Sequence, residues 1–187
     1  MARIIETTLY QFDELSESAQ QAACEWYASD GEAWPWQSEW WDSAKAFGTI
    51  APIRITGADY ERGDCDIEWR GPDYALRYDH SDAIAELTGL RAWKWLQNNN
   101  WFKWAKREAP GACTLTGFYS DAAFADPLLE YARKPLSVPD LKQVFYECAQ
   151  SWVFAARDDM EACNSFESIA DNIRANGYEF TESGEIV

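Results

Sequence analysis

Residues 53–69, IRITGADYERGDCDIEW, are the most telling stretch for the fold. Ile53 and Ile55 alternate with Arg54 and Thr56. Beyond Glu61-Arg62-Gly63, Cys65, Ile67 and Trp69 alternate with Asp64, Asp66 and Glu68. Two period-two runs around a glycine-containing turn predict a β-hairpin with one apolar and one polar face. Pro72 ends it, and Tyr74–Tyr78 reads as a third strand.

Outward from the hairpin the period changes to helical. Leu15, Ala19, Ala22, Ala23, Trp26 and Tyr27 share one face of an amphipathic helix, with Ser16 as N-cap, Glu17 at the positive end of its dipole and Asp30-Gly31 as its close. Pro35 opens a second helix carrying Trp36, Trp40, Ala44 and Phe47, and Gly48 is placed to end it. Ser81/Asp82 to Leu87 is a short helix. Residues 91–107, RAWKWLQNNNWFKWAKR, read as one helix interrupted by asparagines or as two short ones.

After the Pro110-Gly111 break, Cys113–Phe118 reads as a strand. Asp126-Pro127 opens a short helix, and Ser137 and Pro139 open a long one. The apolar positions of the long helix are Leu141, Val144, Phe145, Cys148, Trp152, Ala155 and Ala156. Ser165 caps a further helix that Asn176-Gly177 ends, and Tyr178 and Phe180 alternate like a short strand. The expectation is an α+β fold, with a small antiparallel sheet from the middle of the chain packed on helices from both termini. One compact domain over residues 1–187 is expected, with a lobe break, if any, near 110–111.

Composition bounds the function. The chain has 187 residues, 32 Asp and Glu against 16 Lys and Arg, and a formal charge of −16. Residues 1–90 hold 18 acids and 6 bases, 91–110 hold 1 and 5, and 151–187 hold 8 and 2. Such a field repels nucleic acid and anionic membranes and attracts basic protein surfaces. The 16% aromatic content argues against disorder. Five widely spaced cysteines without a CxxC read as reduced thiols of a cytosolic protein. No secretory leader or membrane span is expected.

Asp64, Asp66 and Glu68 alternate on one strand face about 6.6 Å apart, a spacing comparable to that of successive phosphates. Such a row suits phosphate imitation, a hard cation, or a plain solvated face. Asp158, Asp159 and Glu161, with Glu167 and Asp171 one helical turn apart, form a second acidic group. His80 lies beside Asp79 and Asp82, a setting that raises a histidine pKa, but no nucleophile is tied to it. Trp93, Trp95, Trp101 and Trp104 interleave with Arg91, Lys94, Lys103, Lys106 and Arg107. This is a stacking-plus-charge pattern, yet tryptophans at helical spacing are usually core.

The end segments carry a resemblance. TLYQFDELSESAQQAACEWYAS (8–29) and SFESIADNIRANGYEFTESGEI (165–186), roughly a quarter of the chain, resemble an uncharacterised family of small tailed-phage and prophage proteins. Some members carry the label antitoxin of a toxin–antitoxin stability system. The resemblance implies a bacterial cytoplasm and a phage-borne accessory gene. By analogy with small acidic phage inhibitors, including anti-CRISPR proteins and other DNA mimics, it implies an inhibitor of a host nucleic-acid-binding defence complex.

The expected function is therefore stoichiometric binding to a basic host protein or nucleoprotein complex. The residues expected to carry it are Asp64, Asp66, Glu68, Asp158, Asp159, Glu161, Glu167 and Asp171. No catalytic residue, metal, cofactor, direct nucleic-acid contact or membrane contact is expected. The alternatives are an antitoxin masking a basic toxin, and a carboxylate- or metal-dependent enzyme using Asp64/Asp66/Glu68 or His80.

Overall fold

A computed structural model describes residues 8–29, 36–72 and 81–187. The fold is α+β, rich in helix, with two small antiparallel ladders among the described residues. The chain divides into two compact units, 1–35 with 159–187 and 36–158. Pro110-Gly111 lies inside the second of these.

The smaller unit joins the two chain ends. Strand β1 (Tyr10–Gln11) pairs antiparallel with β4 (Glu179–Phe180), with Tyr10 opposite Phe180. Helix α1 (Glu17–Ser29) packs on α8 (Phe166–Asn176). Their apolar faces meet with Phe12, Leu15 and Phe180 in one core, against which Tyr10, Trp26 and Tyr178 lie. Ser16 Oγ accepts from the Ala19 amide at 3.3 Å, and Ser165 Oγ accepts from the Ser168 amide. Gly177 ends α8 in the left-handed conformation at φ 66°, which glycine adopts without a Cβ penalty.

In the larger unit, β2 (Ile53–Asp59) and β3 (Asp64–Trp69) form the expected hairpin, with a bulge between Ile55 and Gly57. Ile53, Ile55 and Cys65 are buried, and Arg54, Asp64, Asp66 and Glu68 are exposed. Helix α2 (Gln37–Ile50) runs two residues past Gly48. The stop comes instead from Pro52, which excludes helical backbone at Ala51 (φ −84°, ψ 153°).

Next come the short α3 (Ser81–Ala85), α4 (Gly89–Asn98) and α5 (Trp101–Glu108). Residues 91–107 are thus two helices. Asn100 breaks them by adopting φ 64°, a conformation asparagine tolerates better than most residues. After α6 (Asp126–Arg133), the long α7 (Leu141–Cys163) begins where Asp140 caps the Gln143 amide at 2.8 Å.

The expected strand at Cys113–Phe118 is not formed. Its amides bond to two buried carboxylates instead of to a neighbouring strand. Asp121 Oδ2 accepts from the Leu115, Thr116 and Gly117 amides at 2.9, 2.7 and 3.3 Å. Asp121 Oδ1 accepts from the Thr116 and Ser43 hydroxyls. Glu108 accepts from the Thr114 amide at 2.9 Å and from its hydroxyl. Both acids are fully buried. Alternating Thr and apolar residues imitate a strand, but a side chain six residues on supplies the acceptors. The expected strand at Tyr74–Tyr78 and the turn at Asp30-Gly31 lie outside the described residues.

The core of the larger unit is aromatic. Phe47 stacks on Phe124 at 4.1 Å, and Phe124 is parallel to Trp152 at 6.0 Å. Trp40 lies 6.3 Å from Trp152. The α7 face from Leu141 to Ala156 is sealed beneath them.

Replacing Asp121 with Ala strands five donors at once. The expected loss is at least about 3 kcal/mol in chemical denaturation, and Asp121→Asn should lose less because it keeps one acceptor oxygen.

Candidate functional site

The hairpin presents the first acidic group. Asp64, Asp66 and Glu68 project from one exposed face of β3, as the alternation predicts. Their environments differ. Glu68 lies 3.9 Å from both Arg54, its cross-strand partner, and Arg70. Asp64 accepts from the Tyr146 hydroxyl of α7 at 2.6 Å and from the Cys65 amide at 2.8 Å. Asp66 makes no ion pair among the described residues. Asp59 stands opposite Asp64 across the ladder, and Arg62 pairs with Asp59 at 3.5 Å. Asp59, Arg62, Asp64 and Asp66 rim a hollow of about 310 Å³.

A stripe on α7 fixes that end of the hairpin. Tyr146, Gln150 and Phe154 recur every fourth residue, so they line one helix face. Gln150 donates to the Gly63 carbonyl at 3.3 Å. Gly63 has φ 67°, and a Cβ there would come within 2.1 Å of the Phe154 ring. Glycine is required at this point by backbone conformation and by space together.

The second acidic group is split between units. Asp158 accepts from Arg157 at 3.3 Å at the end of the larger unit. Asp159, Glu161, Glu167 and Asp171 belong to the smaller one. Glu167 and Asp171 lie one turn apart on α8, both exposed. Asp171 is ion-paired with Arg174 at 2.9 Å, and Arg174 also holds Asp13 at 2.9 Å and stacks over Phe12.

The acidic charge is concentrated in the smaller unit, which the linear order of the residues does not display. The smaller unit contains 14 acidic and 2 basic residues, a formal charge of −12, whereas the larger has 18 and 14, or −4. Three quarters of the net charge thus sits on about a third of the chain. Asp13, Glu14, Glu17, Glu25, Glu179, Glu182 and Glu185 join the expected residues there, all exposed. Arg174 is the one basic residue described in that unit.

Of the four tryptophans of residues 91–107, Trp101 is buried and Trp93, Trp95 and Trp104 are half-buried. Trp101 is 7% exposed and lies 4.8 Å from Phe145, and Trp104 lies 5.8 Å from Phe47. The lysines and arginines of these helices are exposed. Among the described residues no group of three or more His, Cys, Asp or Glu is arranged to hold a metal ion. No described helix is long and apolar enough to cross a membrane. His80 and Asp79 lie outside the described residues, and Asp82 is exposed in the first turn of α3.

Comparison of the chain with models of known protein families, with curated proteins and with solved structures finds no match.

The Asp64–Tyr146 bond leaves a titration signature. Donation from Tyr146, then from the Cys65 amide, holds the Asp64 carboxyl below the usual range. The Asp64 carboxylate in turn pushes the Tyr146 hydroxyl up to about 12. A carboxyl with a lowered folded pKa stabilises at neutral pH, and that contribution is lost as pH falls through the folded value. A tyrosine with a raised pKa stabilises below about 10, and its contribution is lost as pH climbs towards about 12. In Tyr146→Phe, the NMR titration of Asp64 should move up towards the ordinary carboxylate range, and the stability deficit seen at neutral pH should shrink as pH falls through the folded pKa of Asp64.

Proposed function

We propose that this chain is a stoichiometric binding protein whose smaller, acidic unit docks on the basic nucleic-acid-binding surface of another protein and excludes the nucleic acid. The observation that carries this reading is the −12 charge gathered on a unit of 64 residues, in which the one described cation is already held between Asp13 and Asp171. Exposed carboxylates in such excess repel one another and lower the stability of the unit that carries them. A basic partner surface converts that repulsion into attraction and speeds encounter. The apolar core beneath gives the acids a fixed arrangement, so little ordering is left for the moment of binding.

The Asp64–Glu68 row has a secondary role in this reading, because Arg54 and Arg70 flank Glu68 and Tyr146 engages Asp64. The resemblance of the end segments to phage and prophage proteins supports a bacterial defence complex as the target. A basic toxin is the second reading, favoured by the antitoxin label within that resemblance. The two share one chemistry and differ in the partner captured.

Tagged protein passed over nuclease-treated bacterial lysate at low salt should retain a basic nucleic-acid-binding protein and release it at high salt. With that partner purified, Glu179, Glu182 and Glu185 changed together to Gln should lower the association rate about 10-fold or more without lowering Tm. Asp64→Asn, Asp66→Asn and Glu68→Gln together should change it less than about 3-fold. The reverse ranking, or a partner without basic character, contradicts the reading.

A further inference from the structure

The larger unit contains a cleft of about 350 Å³ where the α4–α5 junction meets the end of α2. Trp95, Trp101, Trp104, Asn99, Asn100 and Ile50 are among its lining residues. We propose that this cleft is a binding site for a nucleobase, with adenine the best fit.

The volume lies at the lower end of the range for small-molecule sites and suits a single nucleoside better than a peptide. The aromatic walls are fixed in place. Trp101 and Trp104 meet edge to face at 5.8 Å, Trp101 is braced by Phe145 and Phe47, and Trp104 is braced by Phe47. Trp101 is buried, whereas the half-buried Trp95 and Trp104 offer rigid indole surface for stacking at small entropic cost, and every base has a face to match.

Two exposed carboxamides stand at the cleft, open to a ligand in exchange for water. Asn99 donates to the Trp95 carbonyl at 2.9 Å, which leaves its own carbonyl oxygen without a donor. Asn100 has φ 64°, where glycine would be the less strained choice. What asparagine adds there is a carboxamide, and that group makes no hydrogen bond to any described residue. A carboxamide offers one donor and one acceptor side by side, which matches the N7 acceptor and N6 donor of adenine.

Charge sets the ligand class further. Tryptophan faces also attract organic cations. Here α4 and α5 carry Arg91, Lys94, Lys103, Lys106 and Arg107, and their one acid, Glu108, is committed to Thr114 and Arg107. A cationic guest is disfavoured on these helices, and a neutral ring, with or without an attached phosphate, is not.

The test is an NMR titration of the full chain, reading tryptophan indole N–H resonances assigned by single Trp→Phe replacements. Adenosine should shift the Trp101 and Trp104 resonances saturably with Kd below about 1 mM, and tetramethylammonium should not. Asn100→Gly keeps the left-handed backbone and removes the carboxamide. It should weaken adenosine at least about 10-fold with Tm unchanged or higher. Trp104→Phe, a milder change than truncation, should also weaken it. A short oligoadenylate that binds more tightly than adenosine marks a strand as the source of the base, and one that is excluded marks a free nucleoside. No saturable shift with adenosine, a stronger response to tetramethylammonium, or full affinity in Asn100→Gly would overturn the proposal.

Discussion

The larger unit depends on covering one face of α7. Leu141, Val144, Phe145, Cys148, Ala149, Trp152, Val153 and Ala156 are all buried. No single neighbouring element is long enough to shield them, so several short ones share the task. Phe124 reaches Trp152 from the 3₁₀ turn at Tyr119–Phe124, Trp40 reaches it from α2, and Trp69, Trp95 and Trp101 meet Phe145. Large aromatic rings suit this arrangement because each covers roughly 150–250 Å² from a distant backbone. The same demand explains the two buried carboxylates. Phe124 sits against Trp152, and in the chain just before it Asp121 supplies the acceptors that a strand neighbour would otherwise provide.

The smaller unit answers a different constraint. Its two halves lie more than a hundred residues apart in the chain, and they meet through a two-residue ladder, the α1–α8 contact and the bond between Arg174 and Asp13. Closing such a separation costs conformational entropy, which an apolar core of ten buried residues offsets. Acidic side chains exclude themselves from that core and gather on its outside. The acids of 1–35 and 159–187, far apart in the linear sequence, come together on one acidic body. The proposed binding function is thus a product of the fold's closure as much as of composition.

Some of this was legible in the residues and some was not. The hairpin, the long helix and both serine caps followed from period and cap chemistry, which act over a few residues and leave local traces. The strand expected at Cys113–Phe118 failed because its hydrogen-bond acceptors come from Asp121 and Glu108, whose burial no local pattern announces. Gly48 is placed to end α2, yet Pro52, acting backwards on Ala51, is the stronger stop. At the candidate site, Asp64, Asp66 and Glu68 project from one strand face as alternation requires. Their partners Tyr146, Arg54 and Arg70 could not be assigned without the tertiary contacts. The ranking of the two acidic groups likewise required knowing that residues 1–35 and 159–187 fold together.

The most direct test of the central claim is competition. A preformed complex between this chain and its purified basic partner should be challenged with duplex DNA and followed by analytical ultracentrifugation. Mutual exclusion, with DNA and this chain displacing one another and never sedimenting together on the partner, is the predicted result. A stable ternary complex, with both held at once, would contradict it.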